Sequence, residues 1–303
     1  MRLYAHLSLV AAAAFWGFGN IFQKGILNHM GPMTATCLRC MIATLAVLPF
    51  LWFERRITRD GAWWLSATAV ALTFAIAISI EQTAYLSSSV TNASFLVNTA
   101  TILTPIFAWL LLREATAGHS IGAAVVTMVG VLLMSNGLAG FVGFRWGDAA
   151  CLISAAFYAV WMVALGRHAQ RHGSPIACAI VQFAVTCVTT FTASTVAETG
   201  TAPDYLKAWP ELVGLGLLAT AAPYCIQTVA QRYTTASKAA LLVSGESVFG
   251  AIGAYLWLGE RPGSAVLVGA TMIAAAILVI AISPSSDMAE QHSPIPTKLV
   301  TDP

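Results

Sequence analysis

The chain has 303 residues, of which 58% are hydrophobic and 9% are charged. An average soluble domain is about a quarter charged, so the composition excludes a soluble globular protein of this size. The net charge of +2, without a basic cluster, also excludes a nucleic-acid-binding protein.

Apolar blocks of about 20 residues match the ~30 Å hydrocarbon core of a bilayer at about 1.5 Å per helical residue. A β-barrel would alternate over segments of about ten residues, and this sequence does not. We therefore expect an all-α integral membrane protein. Its ten predicted transmembrane helices cover residues 4–27, 33–53, 62–86, 90–112, 120–136, 148–168, 175–197, 211–233, 236–258 and 264–282.

The distribution of lysine and arginine predicts the orientation of these helices. With a cytoplasmic N-terminus, the cytoplasmic side holds Arg2, Arg55, Arg56, Arg59, Arg113, Arg167, Arg171, Arg232, Lys238 and Lys298. The opposite side holds Lys24, Arg145, Lys207 and Arg261. The excess predicts that both termini are cytoplasmic. The polar, proline-containing segment 284–303 is expected to be a disordered cytoplasmic tail.

An internal repeat divides the chain. AAFWGF at 13–18 resembles AAFYAV at 155–160, and FLVNTATILTPIFAWLLLRE at 95–114 aligns with LLVSGESVFGAIGAYLWLGE at 241–260. The matched segments are offset by 142 and 146 residues. The pattern predicts two five-helix repeats, over 4–136 and 146–283. Because five is odd, the second repeat enters the membrane from the opposite side, which gives the inverted topology of many alternating-access transporters.

Glu246 is a carboxylate within an apolar run. An acid at the centre of a membrane helix costs about 2.5–3.5 kcal/mol on insertion scales. Three interpretations stay open: a proton-coupling site, a site for a substrate amino group or cation, and a protonated residue that packs between helices. Its repeat mate is Ala100, so the site is electrostatically asymmetric, as suits a zwitterionic ligand.

Arg39 and Glu81 are predicted at similar depths, about 8–9 Å below the outer boundary of the membrane. One interpretation is a structural ion pair. The other is a state-dependent outer gate or a site for a substrate carboxylate. Their repeat mates, Gln182 and Gln227, are uncharged.

The remaining candidates for a substrate cavity are aromatic or polar. Trp16 and Tyr158 are repeat mates that could enclose a ring or stack on a cation, and Trp161 follows Tyr158 by about one turn. Tyr85 and Tyr224 are weaker aromatic candidates. The polar candidates are Asn20, Gln23, Asn98, Thr101, Gln227 and Ser244. Hydrogen bonding between helices is the alternative role for these polar side chains.

Several stretches carry a resemblance to a known family: AFWGFGNIFQKG, LLLREATAGHSIGAAVVTMVGVLLM and ESVFGAIGAYLWLGERP. The chain resembles the drug/metabolite transporter superfamily, in its EamA-type ten-helix branch, and is similar to YddG-type exporters of aromatic amino acids. The resemblance implies a multi-pass exporter of the bacterial inner membrane, with a cavity lined by helices 1, 3, 4, 6, 8 and 9 and without a nucleotide-binding domain. The chain departs from the YddG-type pattern in helix 4, where Asn98-Thr99-Ala100-Thr101 replaces bulky aromatic residues.

These observations predict a secondary transporter that exports small metabolites, with amino acids of large apolar or aromatic side chain as the expected substrates. A multidrug, polyamine or other metabolite carrier is the alternative, and proton coupling at Glu246 is open. No enzyme is expected, because the sequence lacks HExxH, GxSxG and paired aspartates near a membrane face. No cofactor or metal is expected, since His168 and His172 have no companion ligand. The expected partners are the bilayer and an amino-acid-like molecule, and the oligomeric state is open.

Overall fold

The computed structural model describes residues 1–54, 59–114, 116–135, 145–199, 203–259 and 261–282, and every regular element in these ranges is helical. The predicted tail 284–303 and the cytoplasmic residues Arg55 and Arg56 lie outside them. The helices are α1 Arg2–Gly25, α2 Pro32–Val47, α3 Gly61–Ala84, α4 Val90–Asn98, α5 Ala100–Leu112, α6 Gly118–Met134, α7 Trp146–Arg171, α8 Pro175–Ala197, α9 Tyr205–Gly216, α10 Ala222–Ala230, α11 Ala236–Val243, α12 Glu246–Leu258 and α13 Ser264–Ile282.

These helices form membrane-spanning segments. Within the described ranges, nine segments are long and apolar enough to cross a bilayer by length and composition, and the apolar helix α6 has 17 residues. The prediction of an all-α membrane fold is therefore confirmed.

Three predicted spans are interrupted rather than continuous. The fourth breaks at Thr99 between α4 and α5, and the ninth breaks at Ser244 and Gly245 between α11 and α12. The eighth begins at Tyr205, before its predicted start, and contains a π-helical turn at Leu217–Ala221 between α9 and α10. A π-turn leaves local backbone groups outside the regular hydrogen-bond ladder, and such turns are frequent at functional sites.

Short polar links begin the interrupted spans. The Ser89 hydroxyl accepts a hydrogen bond from the Asn92 amide at 3.1 Å, and the Thr235 hydroxyl accepts one from the Lys238 amide at 3.3 Å. These N-caps satisfy amides that have no partner inside the helix. Since Ser89 and Thr235 are repeat mates, both halves begin their fourth helix in the same way.

The helix contacts of the bundle come in matched pairs. Helix α2 packs on α8, and α6 packs on α13, so each of these pairs joins repeat-mate helices. Helix α7 packs on α3, α4 and α5, as α1 packs on α9, α10, α11 and α12. Exchanging the halves reproduces this pattern, and the contacts between halves surround a central space.

Two glycine positions let helices approach closely. A Cβ at Gly17 would lie 2.5 Å from the Glu246 carbonyl oxygen, so only a glycine lets α1 pack this tightly on α12. In the same way, a Cβ at Gly130 would lie 2.7 Å from the Gly269 carbonyl oxygen at the crossing of α6 and α13. Small residues at such crossings are typical of membrane helix pairs.

Candidate functional site: a cavity between the two halves

A cavity of about 80 Å³ lies between the two halves, in the middle of the bundle. This space holds a few water molecules and is too small for a bulky ligand. Most of the predicted site residues line it, among them Trp16, Asn20, Arg39, Glu81, Asn98, Thr101, Tyr158, Trp161, Gln227 and Glu246. They come from seven of the ten predicted spans.

The structure does not bring Ser244 to this cavity wall. Ser244 is buried at the break between α11 and α12, where its hydroxyl donates to the Leu241 carbonyl at 2.6 Å. A hydroxyl that bonds to its own helix in this way offers little to a ligand. The repeat symmetry that pairs Ser244 with Asn98 therefore does not extend to the cavity lining.

Glu246 is the first residue of α12, directly after the break in the ninth span. Its Oε1 accepts a hydrogen bond of 2.9 Å from the side-chain nitrogen Nδ2 of Asn98. This nitrogen also donates to the Ser94 carbonyl and the Ser247 hydroxyl. Asn98 directly precedes the break in the fourth span. The contact thus joins the interrupted helices of the two halves.

The predicted direct ion pair between Arg39 and Glu81 does not form. In the described ranges, no oxygen of Glu81 comes within 4 Å of a nitrogen of Arg39, whereas an ion pair of 2.9 Å links Lys207 to Asp204. Arg39 turns instead toward the π-turn of the eighth span. Its Nε donates to the Thr220 hydroxyl at 2.8 Å and its Nη2 to the Ala219 carbonyl at 3.4 Å.

Glu81 is held by an aromatic hydroxyl. The Tyr158 hydroxyl donates to Glu81 Oε2 at 2.6 Å and lies 3.3 Å from the Tyr224 hydroxyl. Tyr224 contacts the Trp16 ring edge to face, with centroids 4.9 Å apart, and lies 5.5 Å from the Trp161 ring. The aromatic wall is therefore continuous from α1 through α10 to α7.

Several buried polar atoms on the cavity wall lack a protein partner. In the part of the chain that the structure describes, neither amide atom of Gln227 has a hydrogen bond, although its side chain is fully buried. Trp16 Nε1 and Gln23 Nε2 are also without one. Buried polar groups are nearly always satisfied, so these atoms indicate a site that water or a polar ligand completes.

Sequence reasoning gave too little weight to some cavity residues. Gln23, a polar candidate, lines the cavity, and so do Tyr85 and Tyr224, which the sequence offers only as weaker candidates. Helical spacing supports a stronger assignment: Gln23 follows Asn20 by three residues, and Tyr224 precedes Gln227 by three. Residues three or four apart share a helix face.

The comparison with known proteins is decisive at the family level. The model of the EamA-like transporter family matches this chain over residues 3–136 and again over 145–282. The chain belongs to the EamA-like transporter family. This EamA-like transporter is a multi-pass membrane protein.

Two relatives of this EamA-like transporter come from Archaeoglobus fulgidus, and each is named an uncharacterized transporter. One is 28% identical over 291 residues, covering 93% of this chain and 87% of the relative. The other is 24% identical over 283 residues, covering 91% and 96%. A protein of known crystal structure shares the fold, with a TM-score of 0.78, 16% sequence identity, and coverage of 93% of this chain and 97% of the other.

Proposed function

We propose that this transporter is a secondary carrier that exports amino acids with large apolar or aromatic side chains. One observation carries the proposal: a central cavity combines an aromatic wall with acidic and basic groups that are not paired with one another. Such a lining suits a molecule that has an apolar body and a zwitterionic end. We place the carrier in a bacterial inner membrane with both termini in the cytoplasm.

The aromatic wall supplies the apolar part of the proposed site. Trp16, Tyr158, Trp161 and Tyr224 all border the cavity. Aromatic side chains prefer edge-to-face or offset contacts, worth about 0.5–1.5 kcal/mol beyond the area that they bury. A phenyl or indole ring of a substrate would extend the edge-to-face contacts that these residues already make.

Alternating access would enlarge this cavity. A space of about 80 Å³ does not admit an amino acid of this kind, so the cavity must widen to bind one. We infer that rocking of one inverted half against the other opens the cavity to each side in turn. The matched helix contacts and the odd number of spans in each half support this mechanism.

Glu246 is the proposed site of proton coupling. Glu246 lines the cavity, and the one described hydrogen bond of its carboxyl group comes from the neutral side-chain amide of Asn98. A carboxyl group inside the membrane without a cationic partner marks a proton or ion pathway by default. Its position between the two interrupted helices would let its protonation respond to their movement.

A carrier for organic cations or polyamines is the second candidate. The cavity wall holds two carboxylates, Glu81 and Glu246, against the single guanidinium of Arg39. If Arg39 served only to hold the π-turn, the remaining groups would favour a cation next to aromatic rings.

Counterflow in proteoliposomes tests both candidates. Vesicles loaded with unlabelled substrate would receive labelled phenylalanine, tryptophan, methionine or threonine, with and without a pH gradient. Exchange of the bulky neutral amino acids supports the proposal. Exchange of polyamines or organic cations alone would overturn it. Glu246→Gln is expected to exchange substrate without responding to the gradient, and Glu81→Gln is the comparison carboxyl variant.

A further inference from the structure

The geometry points to a binding site for the head group of an α-amino acid between Arg39 and Glu81, two oppositely charged side chains that do not pair with each other. This inference rests on the proposed function and deepens it. The substrate carboxylate would bind Arg39, and the substrate ammonium group would bind Glu81. Glu246 is then free for its separate role in coupling.

Arg39 retains unused hydrogen-bonding capacity. Its side chain is 2% exposed, yet no carboxylate lies within 4 Å of its guanidinium among the residues described. The guanidinium has five N–H groups, and the described contacts use three of them, toward Thr220, Gln23 and Ala219. A buried cation with only neutral partners is costly, and an arriving carboxylate would complete it.

Gln23 lies between the two charged groups. Its Oε1 accepts from Arg39 Nη1 at 3.4 Å, so its Nε2 is the donor that faces away from the guanidinium. This nitrogen faces the Glu81 carboxylate, and in the described ranges it makes no hydrogen bond of 3.5 Å or less. Gln23 is held from behind, because its backbone carbonyl accepts from Gln82 at 3.0 Å. The amide therefore separates Arg39 from Glu81 and keeps a gap between them.

An α-amino acid has the right shape for this gap. Its carboxylate and ammonium groups are attached to one carbon. They can therefore bind Arg39 and Glu81 at the same time, since these side chains are neighbours that do not touch. Tyr158 orients Glu81 through the 2.6 Å hydrogen bond, and its ring borders the cavity. A side chain that extends from the same carbon would meet the aromatic wall.

The π-turn connects this site to the eighth span. Thr220 accepts from Arg39 and donates to the Leu215 carbonyl at 2.7 Å, while Ala219 offers Arg39 a carbonyl. Because these contacts already hold the guanidinium in place, a carboxylate on its remaining donors would bind beside the eighth span.

The test compares ligands that lack one end of the head group. Labelled phenylalanine counterflow would be competed by unlabelled phenylalanine, by phenylalaninamide, which has no carboxylate, and by 3-phenylpropionate, which has no ammonium group. Wild-type carrier is expected to prefer phenylalanine over either analogue by about tenfold or more, as usual for charge-assisted hydrogen bonds. Arg39→Gln should lose the preference over the amide, and Glu81→Gln the preference over the propionate.

Two further variants make the test independent of the folding of Arg39→Gln. Gln23→Leu removes the amide that separates Arg39 from Glu81, so the two side chains can pair with each other and the preference for phenylalanine over the amide should fall. Gln231→Leu is the matched control, because Gln231 is fully buried and donates to the Met162 carbonyl at 3.3 Å, outside the cavity lining. It should leave the ratio of the two ligands unchanged.

The two proposals fail differently. Amino acid exchange with unchanged ligand ratios in Arg39→Gln and Gln23→Leu would overturn the head-group site and leave the exporter proposal standing. A wild-type carrier that does not distinguish phenylalanine from its amide would do the same. Exchange of phenylalaninamide or polyamines without exchange of any amino acid would overturn both.

Discussion

Glu54 and Glu198 each accept hydrogen bonds at the start of a helix in the opposite half of the chain. Glu54 accepts from the Ile176 and Ala177 amides at 2.9 and 3.0 Å, at the start of α8. Glu198 accepts from the Met33 and Thr34 amides at 2.6 and 3.1 Å, at the start of α2. The two carboxylates are repeat mates, 144 positions apart in the sequence. They fasten the antiparallel pair of α2 and α8 at both ends.

Loss of either capping carboxylate should lower the thermal stability of the protein. Glu54→Ala or Glu198→Ala leaves two helix-start amides without their carboxylate and removes a favourable interaction with the helix dipole. We expect a cost of about 1–3 kcal/mol for each, measured as thermal unfolding in detergent. Lys207→Gln, which breaks an exposed ion pair, is the control and should change the stability less than either cap variant. Unchanged stability in both cap variants would show that water replaces the carboxylates without loss.

The same arrangement predicts that α2 and α8 move together. Cys37 of α2 faces Cys187 of α8, and their sulfur atoms are 3.6 Å apart. Mild oxidation should form a disulfide between them after a small side-chain rotation, and transport should continue because the two helices keep their relative position. Gel mobility and counterflow measure the two effects, with Cys37→Ser as the control. Complete arrest by the crosslink, reversed by reduction, would mean that the pair slides during the cycle.

The contact of α1 with α12 should be intolerant of a side chain. Gly17→Ala places a methyl group against the Glu246 carbonyl and Gly250 amide, so α12 must shift. We expect a loss of about 1–3 kcal/mol in stability together with slower transport, because Glu246 begins the displaced helix. Gly122→Ala in α6 has nothing within 4 Å of the new methyl group. It should be neutral or stabilising by up to about 1 kcal/mol, and equal effects of both variants would refute the close approach.

The hydroxyl of Tyr158 should matter more than that of Tyr224. Tyr158→Phe removes the 2.6 Å donor to Glu81, whereas Tyr224→Phe removes only the 3.3 Å contact between the two hydroxyls. If phenylalanine is a substrate, as we propose, its transport should be roughly tenfold weaker in Tyr158→Phe, with a smaller effect in Tyr224→Phe. Concentration-dependent counterflow compares them. A larger defect in Tyr224→Phe would reverse the assignment of the donor to Glu81.

The sequence by itself determined the class of this protein and the pool of site residues. Long apolar blocks, scarce charges and a repeat of about 144 residues are local or periodic features, so they can be read without coordinates. Polar residues such as Glu246, Asn98 and Gln227 stand out because burying them in a membrane is costly. That cost, together with the repeat, predicts a membrane protein fold. It also predicts that most of the candidate residues lie near one cavity.

Only the tertiary structure decided which groups these residues meet. Arg39 binds the π-turn instead of Glu81, and Glu54 and Glu198 bind backbone amides on the other half. Any residue type supplies a backbone amide or carbonyl, and a π-turn changes which carbonyl is available, so neither leaves a signature in the sequence. Partners more than 100 residues apart are chosen by helix packing, where a shift of one turn replaces a carboxylate with a hydroxyl.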